Sequence, residues 1–185
     1  MEQQLKELEI KPNKLAFQVA LAFSLYTLAL IYLFKALGID TQVENVKPLT
    51  KFISSLLSYG PLVMAIIYTQ MRHREELGGY MSFGRAFSTG FRVGATAGLF
   101  IGLLMILYYK ILDRPALDHL IDISVSAAEK MNNPEQSVKG VHMMEPYMGI
   151  FIAFGAAISY TIYGLIIGLI GAFVFKKVPP LTLGE

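Results

Sequence analysis

The 185-residue chain contains no cysteine. It can therefore form no disulfide, no thiolate nucleophile and no zinc–thiolate centre, and its thiol usage says nothing about redox compartment. Charge is scarce as well, at 16% of residues against about 25% in an ordinary soluble domain. The scarcity is local. Positions 15–34, 52–71, 93–109 and 146–175 hold no Asp, Glu, Lys, Arg or His, so 87 of the 185 residues lie in charge-free windows and all 30 charged side chains crowd into the other 98 positions. A helix in water needs a polar face, which such runs cannot supply. They match the ~30 Å hydrocarbon core of a bilayer at 1.5 Å per residue. A soluble globular domain is excluded.

Other absences narrow the function. The formal charge of +2 and the lack of a basic run argue against nucleic acid as a partner. The windows lack the midplane ionisable groups that proton- and sodium-coupled carriers use. They also lack acid–base pairs, and no Ser/His/Asp arrangement or phosphate-binding glycine loop appears elsewhere. No enzyme activity and no cofactor are expected.

What is present reads as one domain, an all-α membrane bundle with spans at about 14–37, 52–71, 84–110 and 146–175. The first window is longer than the apolar run of a signal peptide, and its leading segment is mixed in charge. Ala36-Leu37-Gly38 nevertheless has the small-residue spacing of a cleavage site. Four spans put both termini and the second loop on one side, with nine basic residues against seven on the other. Acids crowd the third loop, and the basic bias places the termini in the cytoplasm.

Along the chain, residues 1–11 form an amphipathic helix broken by Pro12, and Gly38 caps the first span. Pro61 interrupts the backbone ladder of the second span, and Ser54, Ser55 and Ser58 are candidates to satisfy the freed carbonyl. Ser82 is placed to cap the third span. Leu117, Leu120, Ile121, Ser124/Val125, Ala128 and Met131 recur at helical spacing, giving an outer amphipathic helix over about 115–132 that lies on the membrane surface or caps the bundle. Pro179-Pro180 ends helical structure after the fourth span.

Gly90, Gly94, Gly98 and Gly102 line one side of the third span, and small residues at the same spacing recur in the fourth, including Gly164 and Gly168. Such rows permit close helix packing, here on the fourth span or on a second copy of the chain. Arg85 and Arg92 lie about 20° apart on the opposite face, near Ser88, Thr89 and Thr96. They read as snorkelling anchors, as contacts to anionic lipid, or as the lining of an anion path. His119-x2-Asp122 and His142-Met143-Met144-Glu145 are weak metal patterns, and no metal site is expected. Tyr32, Tyr68, Tyr80, Tyr108, Tyr109 and Tyr147 read as an interfacial belt.

The stretch Gly78-Gly79-Tyr80-Met81-Ser82-Phe83-Gly84-Arg85-Ala86-Phe87, the glycine-rich third span, and Tyr108-Tyr109 through Asp113-Arg114-Pro115 resemble a domain-of-unknown-function family of small four-span bacterial inner-membrane proteins. The resemblance covers about 14–177, and Gly-Gly-x-x-Ser-Phe-x-x-Ala-Phe is its most specific part. It implies the topology and carries no catalytic residue across. The resulting expectation is a non-enzymatic membrane subunit that self-associates or binds a membrane partner. Its basic rim (Arg72, Arg74, Arg85, Arg92, Lys176, Lys177) would contact anionic lipid. The alternative is an oligomeric channel or uncoupled carrier for an anionic solute.

Overall fold

The structure, a computed structural model, describes residues 2–40 and 46–178. Seven α-helices follow in order: α1 (Glu2–Glu9), α2 (Asn13–Ala36), α3 (Pro48–Glu76), α4 (Phe83–Leu107), α5 (Arg114–Ala128), α6 (Pro134–Met144) and α7 (Met148–Phe175). A π-helical turn, Tyr108–Leu112, extends α4. The helices α2, α3, α4 with its turn, and α7 are each long and apolar enough to cross a bilayer, the architecture of a multi-pass membrane protein.

The charge-free windows mark the cores of these spans; α2, α3 and α4 with its turn run past theirs, whereas α7 lies within its own. Pro48 starts α3 at its first turn, where a missing N–H costs nothing. The third loop differs from expectation. Its amphipathic helix ends at Ala128, and Pro134 starts a second helix, α6, joined to α7 by the 3-10 turn Glu145–Tyr147. Lys139, His142 and Glu145 interrupt the apolar pattern there, so periodicity alone hid α6. Pro179-Pro180 lies outside the described residues.

α4 is the central helix. It packs on α2 and α3 through Ala16, Ala20, Phe23, Leu62, Ile66, Val93, Ala97 and Ile101. Its other side meets α7 in antiparallel fashion, largely backbone to backbone. A Cβ on Gly94 would stand 2.3 Å from the Gly164 Cα, and one on Gly90 2.7 Å from the Gly168 Cα. Farther along, one on Gly98 would meet the Ala157 carbonyl oxygen at 2.5 Å. Both rows of small residues are thus used on each other within one chain, where close approach gains dispersion contact that lipid tails cannot supply.

Pro61 leaves α3 helical, but its consequence is met differently from expectation. The carbonyl it frees is that of Leu57, four residues back. The Tyr26 hydroxyl of α2 donates to that oxygen at 3.0 Å. The partner comes from a neighbouring helix, because a tyrosine can span the gap between two helix surfaces and still leave its ring in apolar contact.

At the end bearing the third loop, the Lys35 ammonium of α2 donates to the Asp113 carboxylate beyond α4, and Tyr108 donates to the same oxygen at 2.8 Å. Tyr108 and Tyr109 are accordingly buried, which removes them from the interfacial belt.

Candidate functional site at the basic end

The opposite end carries the residues singled out in the sequence. Its frame is the turn between α3 and α4. Leu77 closes α3, and Gly78 and Gly79 adopt φ of +83° and +89°, which L side chains rarely take. Their amides donate to the Glu75 and Arg74 carbonyls and finish the helix. Met81 then exchanges two backbone hydrogen bonds of 2.9 Å with Lys177, tying the turn to the segment after α7. Ser82 caps α4 by accepting from the Arg85 amide at 3.3 Å. Leu77, Met81, Ala86 and Ala172 form a small core, with Phe83 and Phe87 packed against it. The Gly-Gly-x-x-Ser-Phe-x-x-Ala-Phe motif is therefore a structural joint.

Above this joint lies a polar knot. Arg85 donates through Nε to His73 Nε2 at 3.0 Å and through its guanidinium to the Ile10 carbonyl. Since His73 accepts at Nε2, its proton sits on Nδ1, which faces Glu76 Oε2 at 3.2 Å. Arg92 donates to Asn13 Oδ1 at 2.5 Å. Glu7 accepts from the Ser82 amide and hydroxyl, both at 2.7 Å, placing a carboxylate at the positive end of α4. Arg85 and Arg92 thus hold α1 and the start of α2 in place.

Below the knot, Gln70 is fully buried. Its amide nitrogen donates to the carbonyls of Ala86 on α4 and Gly168 on α7, both at 3.0 Å. Its Oε1 lies where a Gly171 side chain would begin, at 1.9 Å from an ideal Cβ. A side chain at 171 would push the Gln70 amide out of this position. That oxygen has no hydrogen-bond partner.

The remaining basic residues lie outside the knot. Arg74 stacks over Phe175 at 5.6 Å, Lys176 over Phe173 at 5.6 Å and Lys177 over Tyr80 at 5.4 Å. Arg72 pairs with Glu75 at 2.9 Å on the surface, a contact worth little by itself. The six basic candidates are therefore divided: Arg85 and Arg92 bond to the segment from Ile10 to Asn13, and the other four form a rim. Thr89 bonds back to the Arg85 carbonyl and is buried.

Sequence reasoning missed Gln70, His73, Glu7 and Asn13. A signal for the first two existed. Leu62, Ile66, Gln70, His73 and Leu77 recur at helical spacing, and all are at most 1% exposed. Two polar residues continuing an apolar stripe mark polar groups turned into the bundle. Glu7 and Asn13 meet partners 75 and 79 positions away, for which no local pattern exists.

The histidine patterns bring no ligand set together. His119 pairs with Asp40 at 2.8 Å, and His142 lies 3.4 Å from Glu145. Among the described residues, no three His, Asp or Glu side chains converge as a metal site would need.

No curated protein and no solved structure matches the chain. A family model does, over residues 18–177, from within α2 to beyond α7. The chain belongs to the family described as "Protein of unknown function (DUF4199)".

Proposed function

We propose that this protein is a non-enzymatic accessory subunit of a bacterial inner membrane, with both termini in the cytoplasm, whose basic rim holds anionic lipid. The rim carries the reading. Arg74, Lys176 and Lys177 each lie over an aromatic ring at the ends of α3 and α7, where apolar spans give way to charge. Cations so held keep their outer face toward the head groups, and their stems cover apolar surface. The excess of basic residues near these helix ends supports the cytoplasmic orientation.

The interior supports a structural role. The α4 glycine row is covered by α7, which favours lipid over a second copy as this protein's contact. Arg85 and Arg92, which an anion path would need along its wall, are directed at α1 and α2 instead.

Thermal unfolding in nanodiscs tests the proposal. Discs containing phosphatidylglycerol should stabilise the protein over phosphatidylcholine discs, by up to about 1 kcal/mol per rim cation. Added salt should shrink the gain. The Arg74→Gln/Lys176→Gln/Lys177→Gln variant should lose it. Equal melting of the wild type in both discs would overturn the reading.

A further inference from the structure

At the end opposite the basic rim, α2, the π-helical turn and α5 enclose a cleft of about 600 Å3. That size suits a small organic ligand or one lipid chain. Ile31, Phe34, Ile39 and Met105 contribute apolar wall, with Ala116 at the start of α5. Lys35 ends the charge-free window 15–34 and Lys110 ends 93–109, so the cleft straddles the boundary between hydrocarbon and head groups. Water gains few partners in apolar walls. The neighbouring solvent that fits them is an acyl chain.

The mouth presents both signs of charge. Lys35 is gripped from behind by Asp113, a buried carboxylate that Tyr108 also holds. An ammonium has three donors, so this grip fixes Lys35 and leaves donors for the cleft. Asp40 also lines the cleft, with His119 beside it at 2.8 Å. A head group of one negative charge would meet Lys35 but also face Asp40. A head group carrying both charges meets each with its opposite.

We propose that this cleft binds a zwitterionic phospholipid. One acyl chain lies against Ile31, Phe34 and Met105, the phosphate at Lys35 and the amine at Asp40. The site is independent of the basic rim in place and in the charge it selects.

Photolabelling of the full-length, delipidated protein tests this. The probe is phosphatidylethanolamine with a diazirine on one acyl chain, and labelled peptides are mapped by mass spectrometry. Label is expected on the segments carrying Ile31, Phe34 and Met105, saturating at one lipid per chain. Unlabelled phosphatidylethanolamine should displace it, and phosphatidylglycerol should need about tenfold more, a difference of 1.4 kcal/mol. Reading displacement at the cleft keeps lipid at the rim out of the result. Ala116→Phe, which adds bulk to the wall, should reduce cleft labelling about tenfold, in line with a lost stretch of buried chain. Asp40→Asn should narrow the preference between the two lipids. No displaceable label on the cleft segments of the wild type, or displacement by phosphatidylglycerol at equal or lower concentration, would overturn the proposal. So would unchanged labelling of a folded Ala116→Phe variant.

Discussion

From Gly90 against Gly168 to Gly102 against Ala153, α4 and α7 meet backbone to backbone. Elsewhere the helices pack through apolar side chains and are pinned by single polar ones: Tyr26 from α2 to α3, Gln70 from α3 to α4 and α7, Glu7 from α1 to α4, Lys35 from α2 to Asp113. The seam is continuous, and an added atom at Gly90, Gly94 or Gly98 would stand within 2.7 Å of the α7 backbone. The pins are discrete, and each can be withdrawn. In a bilayer both devices work because neither relies on excluding water, and they should fail differently when altered.

The largest difference should come from glycines in and out of the seam. Gly94→Ala places a methyl on the Gly164 backbone and should destabilise the bundle by about 2–3 kcal/mol. Gly155→Ala, on α7 with no atom within 4 Å of its Cβ, should stay within about 0.5 kcal/mol of wild type. Denaturant unfolding in mixed micelles, followed by circular dichroism, compares them. Equal costs would break the contrast between seam and surface.

A pin should cost less and depend on pH. Lys35→Met leaves the Asp113 carboxylate, 5% exposed, without its cation, at a cost of about 1–3 kcal/mol. The hydrogen bond from Lys35, with help from Tyr108, holds the Asp113 carboxyl below the usual carboxylate range against the opposing effect of burial. Its folded pKa lies below the unfolded value of about 3.9. The stabilisation is thus fully present above that pH and is lost as pH falls through the folded value. The stability advantage of wild type over Asp113→Asn should therefore hold from neutral pH to about 5 and shrink below about 4. An advantage that instead vanished between pH 7 and 5 would place the pin's titration elsewhere.

The smallest effect belongs to Glu7. Glu7→Ala should detach α1 at a cost of about 1 kcal/mol or less, raising amide exchange at Ser82 and Arg85 and tryptic cleavage after Lys6. The melting of the four spans should hardly move. If it fell as far as in Gly94→Ala, α1 would be part of the bundle and not a strap upon it.

The same contrast separates what could be read from the sequence. Spans, the cap at Ser82 and the glycine at position 38, φ +66°, follow from local chemistry, because each depends on residues a turn or two apart. Rows of small residues every fourth position announced two small faces, and the structure supplies their pairing. The pins were nearly invisible. Lys35 and Asp113 lie 78 positions apart, and nothing in either neighbourhood names the other. At Pro61 local reasoning looked to serines of the same helix, whereas the answer lay across the interface in Tyr26. Arg85 and Arg92 were legible as unusual, but their partners, His73, Ile10 and Asn13, were not.

Pro61 has one more consequence. A proline in a membrane helix advertises a single carbonyl at a single depth and direction, and a hydroxyl that answers it must arrive at that height and angle. The Leu57–Tyr26 contact thus works as an address, fixing the register of α2 on α3 with one atom on each side. Restoring the ladder with Pro61→Ala would return that carbonyl to its own helix and make Tyr26 share it. The helix would become more regular and the bundle less specific. Imperfection in one helix is the means by which the next one knows where to stand.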